Sequence, residues 1–217
     1  MCPVSLLRCR VPSLSVRAFA ELIGLPAYEY VRILHEQKYP TQQPQIFRTP
    51  FYLPALSAIR NYYRAGNDLT VLAAARQGIS QLKLDTRREN NMRVLKSFER
   101  GRQARRRLQV AANPRRVASV RQVELRLGLD MSAIDKGQPR PVYYNCRTTG
   151  LDTDLAHTTL ELAHWLLEEN GIALPAKALE YVDLTDNRVH HIQQRRGKTL
   201  RRLREVARVI DALWPTI

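Results

Sequence analysis

Apolar residues recur every three to four positions over much of the first 107 residues, a spacing that predicts helices. Residues 15 to 36 read as two short helices broken at Gly24-Leu25-Pro26, and further helices are expected at 54 to 63 and 69 to 77. The segment from Thr86 to Glu89 has the form of a capping box and predicts the start of a long helix that ends near Arg107. Residues 1 to 84 are therefore expected to form a helical N-terminal region.

The period changes to two after residue 120. Val123, Leu125, Leu127 and Leu129 alternate with polar residues or glycine and predict a half-buried strand that ends at Asp130. A second strand is expected at 141 to 148, a helix at 152 to 169, two strands in "ALEYVDL" and "RVHHIQQ", and a last helix at 200 to 213. Residues 85 to 217 are thus predicted to be an α/β (α+β) domain with a mixed sheet flanked by helices.

The break between the first two predicted helices is similar to a helix-turn-helix. In that unit a small residue, here Ala20, lets the helices approach, and a glycine four positions later, here Gly24, makes the turn. The second helix carries Glu29 and Glu36 against only Arg32, which is a poor charge balance for a helix that enters a DNA groove. Ordinary packing of two helices remains the alternative.

Composition indicates a folded, strongly basic protein. The chain has 217 residues, 44% of them hydrophobic, and a formal net charge of +15. Cys2, Cys9 and Cys146 form no C-x-x-C pair, which suits a reducing compartment. Because the start of the chain lacks an uninterrupted apolar stretch and no segment approaches the roughly 18 apolar residues of a membrane span, we expect a cytoplasmic protein without a membrane partner.

The positive charge is concentrated in two stretches. Residues 87 to 121 hold 12 Lys or Arg against Glu89 and Glu99, and residues 188 to 208 hold 8 against Glu205. Clustered cations favour a polyanion because binding releases counterions, so we expect a nucleic-acid backbone, DNA or RNA, as the partner. Solvated helix faces are the alternative. The predicted contact residues are Arg93, Arg100, Arg105, Arg106, Arg107, Arg147, Arg195, Arg196, Lys198, Arg201, Arg202 and Arg204.

Two smaller patterns point to further chemistry. Tyrosines lie among arginines at 62–63 and 143–144, where they could stack on unpaired bases or simply fill a core. His157, Glu161 and His164 recur at helical spacing, but histidines seven positions apart are more typical of a helix surface or boundary than of a metal site.

The stretch "RPVYYNCRTTGLD" carries a family resemblance. Asn145 and Arg147 are expected side by side on one face of their strand, after a strand that ends on Asp130. This arrangement resembles the PD-(D/E)XK superfamily of restriction-endonuclease-like folds, whose core runs helix, three strands, helix, strand. The resemblance implies catalytic positions at Asp130 for the aspartate, Asn145 for the second acid and Arg147 for the lysine.

The departures from that motif predict lost chemistry. Asn145 offers only a neutral carbonyl where Mg²⁺ or Mn²⁺ prefers anionic oxygens, and Arg147 cannot manage a proton as lysine can. We therefore predict no metal site, and a nuclease-shaped nucleic-acid-binding protein that serves as a subunit or regulator beside other proteins. Two alternatives stay open: a metal-dependent endonuclease that uses Asp130 with other acids, and a protein-interaction module with a basic face. In the simplest structural interpretation, Asp130 is the ion-pair partner of Arg147.

Overall fold

The computed structural model describes residues 11–39 and 51–217. The helices within these ranges are α1 (Val16–Gly24), α2 (Ala27–Lys38), α3 (Leu53–Arg64), α4 (Leu69–Ser80), α5 (Asp85–Arg100), α6 (Thr153–Glu169) and α7 (Gly197–Leu213). The strands are β1 (Ser13–Ser15), β2 (Gln109–Ala111), β3 (Val117–Val120), β4 (Val123–Arg126), β5 (Met131–Asp135), β6 (Gln138–Asn145), β7 (Glu180–Asp183) and β8 (Arg188–His190). No helix in the described ranges is both long and apolar enough to cross a membrane.

Two sheets organise the molecule. The larger has the strand order β2-β5-β6-β7-β8; β6 and β7 run parallel, and the other neighbours are antiparallel. Helix α6 makes the crossover between the two parallel strands, as such a connection requires. The smaller sheet has the order β1-β4-β3, with β3 and β4 joined as a hairpin. The mixed, helix-flanked sheet predicted from the sequence is confirmed.

A separate core covers each face of the larger sheet. Helices α3, α4 and α5 pack on the face that carries Val142 and Tyr144. Helices α1, α2, α6 and α7, together with the smaller sheet, form the core that includes Tyr143 and Tyr181. Residues before 85 contribute to both cores, so the boundary expected there does not separate two hydrophobic cores.

The first two helices form as predicted, but each packs mainly on later helices rather than on the other. Ser15 caps α1 by accepting from the Ala18 backbone N–H, and Leu25, which precedes Pro26, is extended and ends the helix. Helix α1 lies on α6 and α7, whereas α2 lies on α7. Ala20 is buried in the common core.

Helix α5 departs from its predicted limits at both ends. It begins at Asp85 with Leu84 as the capping residue, so Thr86 is inside the first turn and no capping box forms. It ends at Arg100, and Gly101 directly after it lies against Asn187: a Cβ on this glycine would come within 1.8 Å of the Asn187 Oδ1. Arg105 to Arg107 therefore lie beyond the helix, in and after a 3₁₀ turn at Gln103–Arg105.

The strands around Asp130 also differ from the prediction. Strand β4 ends at Arg126 and belongs to the smaller sheet, whereas Asp130 directly precedes β5 of the larger one. The turn between β5 and β6 contains Lys136 and Gly137, both with positive φ, as a tight hairpin requires. Since β5 and β6 are antiparallel, the start of β5 lies beside the end of β6, and Asp130 is near Asn145 after all.

Candidate functional site

Asp130 lies at the end of the larger sheet with its carboxylate in use. The Oδ2 atom accepts a hydrogen bond from the Tyr144 backbone N–H at 2.7 Å and pairs with the Arg17 Nη2 at 2.5 Å. The exposed side-chain fractions are 13% for Asp130 and 29% for Arg17, so this is a largely buried ion pair. The motif aspartate is thus bound by a cation from α1.

Arg17 is held by aromatic rings as well as by its carboxylate partner. Its guanidinium carbon lies 5.2 Å from the centre of the Tyr143 ring and 5.4 Å from that of Tyr181, within cation–π range. Burial acts to lower the pKa of Arg17, but the nearby Asp130 and the two tyrosines outweigh it and raise the pKa above its ordinary value. Arg17 is therefore a permanent positive charge beside Asp130.

Arg147 pairs with a different acid from the one expected. It follows the end of β6 rather than sharing a strand face with Asn145, and its Nη2 lies 2.5 Å from the Glu21 Oε1. Glu21 is one turn after Arg17 on α1, so a single helix supplies an opposite charge to both charged motif positions. We call Arg17, Glu21, Asp130 and Arg147 the paired-charge cluster. The expected pairing of Asp130 with Arg147 is wrong, because Asp130 pairs with Arg17 and Arg147 pairs with Glu21.

Asn145 is buried and tied to an acid on the next strand. Its amide donates to the Asp183 Oδ1 at 3.1 Å and to the Thr149 carbonyl at 3.0 Å. Asp183, which closes β7, also accepts from the backbone N–H groups of Leu151 at 2.5 Å and Thr185 at 2.9 Å. Burial alone would raise the pKa of Asp183, but these hydrogen bonds lower it below its ordinary value. Asp183 therefore organises the loop after β6.

The donor set at this sheet end does not fit a divalent cation. Mg²⁺ or Mn²⁺ needs carboxylate oxygens that are free to face the ion. Here Arg17 neutralises Asp130, four donors from the protein occupy Asp183, and the Asn145 amide donates to Asp183 and to the Thr149 carbonyl. Within residues 11–39 and 51–217, no three His, Cys, Asp or Glu side chains are grouped as metal ligands.

A basic groove reaches this sheet end along α5. Its cavity has a volume of about 540 Å³. We call it the α5 groove, lined by Ser80, Arg88, Glu89, Met92, Arg93, Lys96, Ser97 and Arg100. Arg93 connects it to β6 by donating to the Cys146 carbonyl at 2.5 Å, and the buried Arg93 Nε has no hydrogen-bond partner in the described part of the chain. The groove therefore combines the exposed cations Lys96 and Arg100 with an Arg93 side chain that is anchored to the residue after β6.

Other predicted contact residues have protein partners. Arg106 is bound by Asp135 at 2.8 Å and by the buried Glu180 at 2.5 Å, which places its charge in a structural network. Arg195 pairs with Glu168 at 2.6 Å. Arg196 contacts Glu161 at 2.6 Å and Asp154 at 3.3 Å. Each of these three arginines already has a carboxylate partner for its guanidinium.

The remaining predicted cations are exposed and form two groups. Arg100, Arg105 and Arg107 lie near the end of α5. The other group lies on or beside the first two turns of α7: Lys198, Arg201, Arg202 and Arg204. None of the seven makes an ion pair with another described residue. Because α5 and α7 cover opposite faces of the larger sheet, the groups do not form one cleft.

The aromatic and histidine patterns are structural. Both tyrosine pairs are buried in the cores, at most 4% exposed, so base stacking by them is excluded. Glu161 and His164 are also buried: Glu161 binds Arg196 and the Thr199 hydroxyl, and a ring nitrogen of His164 lies 2.8 Å from the Leu174 carbonyl. These side chains stabilise the packing of α6.

The sequence patterns did not predict three of the residues at this site. Arg17 and Glu21 have the i, i+4 spacing of two neighbours on a helix face, but the residues around them do not indicate which distant residues they pair with. Asp183 closes a predicted strand as Asp130 was expected to do, and that parallel was an available signal.

No protein-family model matches the sequence, and comparisons with curated proteins and with solved structures give no match.

Proposed function

We propose that this protein binds a nucleic-acid backbone through surface cations around the α5 groove and does not cut it. In this proposal the chain is a restriction-endonuclease-like protein with a degenerate site, and it serves as a subunit or regulator of a nucleic-acid-processing complex in the cytoplasm. Mg²⁺ and Mn²⁺ have no role in it.

One contrast of charge pairing carries the proposal. Asp130 and Arg147 are each neutralised by an opposite charge from α1. By contrast, Lys96 and Arg100 in the α5 groove make no ion pair with the described residues and are exposed. Exposed cations without acid partners are the ones that gain from contact with phosphates, because no internal pair has to be broken first.

The connectivity supports the family relation. Elements α5, β2, β5, β6, α6 and β7 follow the order helix, three strands, helix, strand, with the hairpin of β3 and β4 inserted after the first strand. The strand that Asp130 directly precedes is the neighbour of the one that leads to Arg147. A protein of this shape that lacks free carboxylates at this sheet end would retain backbone binding while losing metal-assisted hydrolysis.

Binding and cutting should be measured on the same preparation. We expect single- or double-stranded DNA or RNA to bind with an affinity that falls steeply between about 50 and 200 mM salt. In the presence of Mg²⁺ or Mn²⁺, the same substrates should remain intact, and Asp130→Ala should behave as the unmodified protein does in the cutting assay.

Each alternative has its own outcome. Metal-dependent cutting that disappears in Asp130→Ala would overturn the proposal in favour of an endonuclease. Absence of binding to all four substrates at low salt would overturn it in favour of a protein-interaction module with a basic face.

A further inference from the structure

A second basic groove lies between the smaller sheet and the segment that precedes it. Its volume is about 570 Å³. We call it the hairpin groove, lined by Ser15, Asn113, Pro114, Arg115, Arg116, Val117, Arg126, Leu127, Gly128 and Leu129. The Asn113 amide fixes one wall by donating to the Leu129 carbonyl at 3.0 Å, and the Leu127 backbone N–H donates to the Arg116 carbonyl at 3.0 Å. These two hydrogen bonds hold the segment before β3 against the segment after β4.

The charges in the hairpin groove are all of one sign. Arg115, Arg116 and Arg126 are exposed, and no Asp or Glu is among the lining residues. Within the described ranges none of these arginines pairs with a carboxylate. Arg116 donates to the Arg115 carbonyl at 3.2 Å, and Arg126 donates to the Ser13 carbonyl at 3.4 Å. Three guanidinium groups over a partly apolar floor that contains Val117 and Leu129 suit a ligand with phosphates and flat apolar faces.

Both grooves border the paired-charge cluster. In the hairpin groove, Leu129 is the residue before Asp130, and Ser15 is two positions before Arg17. In the α5 groove, Arg93 binds the carbonyl of Cys146, the residue before Arg147. Because α5 packs on one face of the larger sheet and the smaller sheet packs on the other, the two grooves lie on opposite sides of this sheet end.

We propose that the hairpin groove is a second phosphate-binding site, and that one nucleic-acid strand passes from the α5 groove over the end of the larger sheet into it. This inference rests on the proposed function. The guanidinium groups of Arg115, Arg116 and Arg126 hold phosphates there, while Val117 and Leu129 contact sugar or base. In this arrangement the paired-charge cluster supports the strand without acting on it.

The test compares two double variants that remove the same charge. Arg115→Gln/Arg116→Gln changes the hairpin groove. Lys136→Gln/Lys177→Gln is the control, because both lysines are exposed and lie toward the opposite end of the sheet from Asp130, near the β5–β6 turn and before β7. Affinity for a fluorescent oligonucleotide of about 20 nucleotides is measured over a salt series, and then for one of about 6 nucleotides.

We expect the hairpin-groove variant to bind the long oligonucleotide about tenfold more weakly than the control variant does. The slope of log affinity against log salt concentration should be lower by about 1.5. The short oligonucleotide, which the α5 groove alone can hold, should show a smaller difference. Arg115→Lys/Arg116→Lys should restore most of the slope, because it keeps the charges.

If the unmodified protein binds but the two Gln variants have equal affinities and slopes, the hairpin groove is not a binding site while the proposed function stands. If the affinities of the two Gln variants differ equally for short and long oligonucleotides, the proposed path of the strand over the end of the larger sheet is wrong. If the unmodified protein binds no oligonucleotide, the proposed function itself fails and this inference fails with it.

Discussion

The paired-charge cluster and the α5 groove are neighbouring regions that use their cations in opposite ways. In the cluster, Arg17 and Arg147 each face a carboxylate, and Arg17 is largely buried against two tyrosine rings. In the α5 groove, Lys96 and Arg100 are exposed and have no acid partner among the described residues. A count of positive charges along the sequence does not distinguish these residues. The presence or absence of a carboxylate partner does: paired cations stabilise the fold, and unpaired exposed cations are available to a ligand.

Removal of the largely buried cation Arg17 should have the largest effect on the free energy of unfolding. Arg17→Ala leaves Asp130 in a mostly buried position without its partner, so we expect the free energy of unfolding to fall by about 2 to 3 kcal/mol in urea titrations. The loss is smaller than for a fully buried pair because water reaches part of Arg17. The double variant Arg17→Ala/Asp130→Asn should recover part of the loss. Equal losses in the two variants would show that the unpaired charge of Asp130 is not the source of the loss.

Asp183 should be the next largest contributor. Asp183→Asn removes the charge that four donors stabilise, and we expect a loss of about 2 kcal/mol at neutral pH. The lowered pKa of the folded state means that this stabilisation is complete above the unfolded pKa of about 4 and is lost as the pH falls further. The difference in unfolding free energy between the two proteins should therefore shrink below about pH 4.

An exposed acid nearby provides the control for that measurement. Asp186→Asn changes a partly exposed carboxylate in the same turn, which pairs with the exposed Arg188, and should cost well under 1 kcal/mol. A pH-independent difference for Asp183→Asn would indicate that the side chain acts through its shape rather than its charge.

The exposed half of the cluster should contribute least to stability. Glu21→Gln disrupts a pair in which Arg147 is 59% exposed, so the free energy of unfolding should change by about 0.5 kcal/mol or less. Releasing Arg147 should at the same time strengthen oligonucleotide binding by about twofold, since one more cation faces the ligand. Weaker binding in Glu21→Gln would contradict the position of the strand beside the cluster.

Local signals predicted the fold well, while contacts between distant segments set the site. The limits of α6 follow from the cap by Asp152 and from Asn170-Gly171, both readable in the sequence. The alternation from Val123 to Leu129 continued past the true end of β4, because Leu127 and Leu129 pack into the core while the chain crosses between sheets. The pairing of Arg17 with Asp130, across 113 positions, has no local signature.

The salt dependence of oligonucleotide binding in Lys96→Gln/Arg100→Gln tests the central claim most directly. Both residues are exposed and unpaired with any described acid, so stability should stay within about 0.5 kcal/mol of the unmodified protein. Relative to the control Lys136→Gln/Lys177→Gln, the account predicts about tenfold weaker binding and a slope of log affinity against log salt that is lower by about 1.5. A slope equal to that of the control, with binding intact in the unmodified protein, would contradict it.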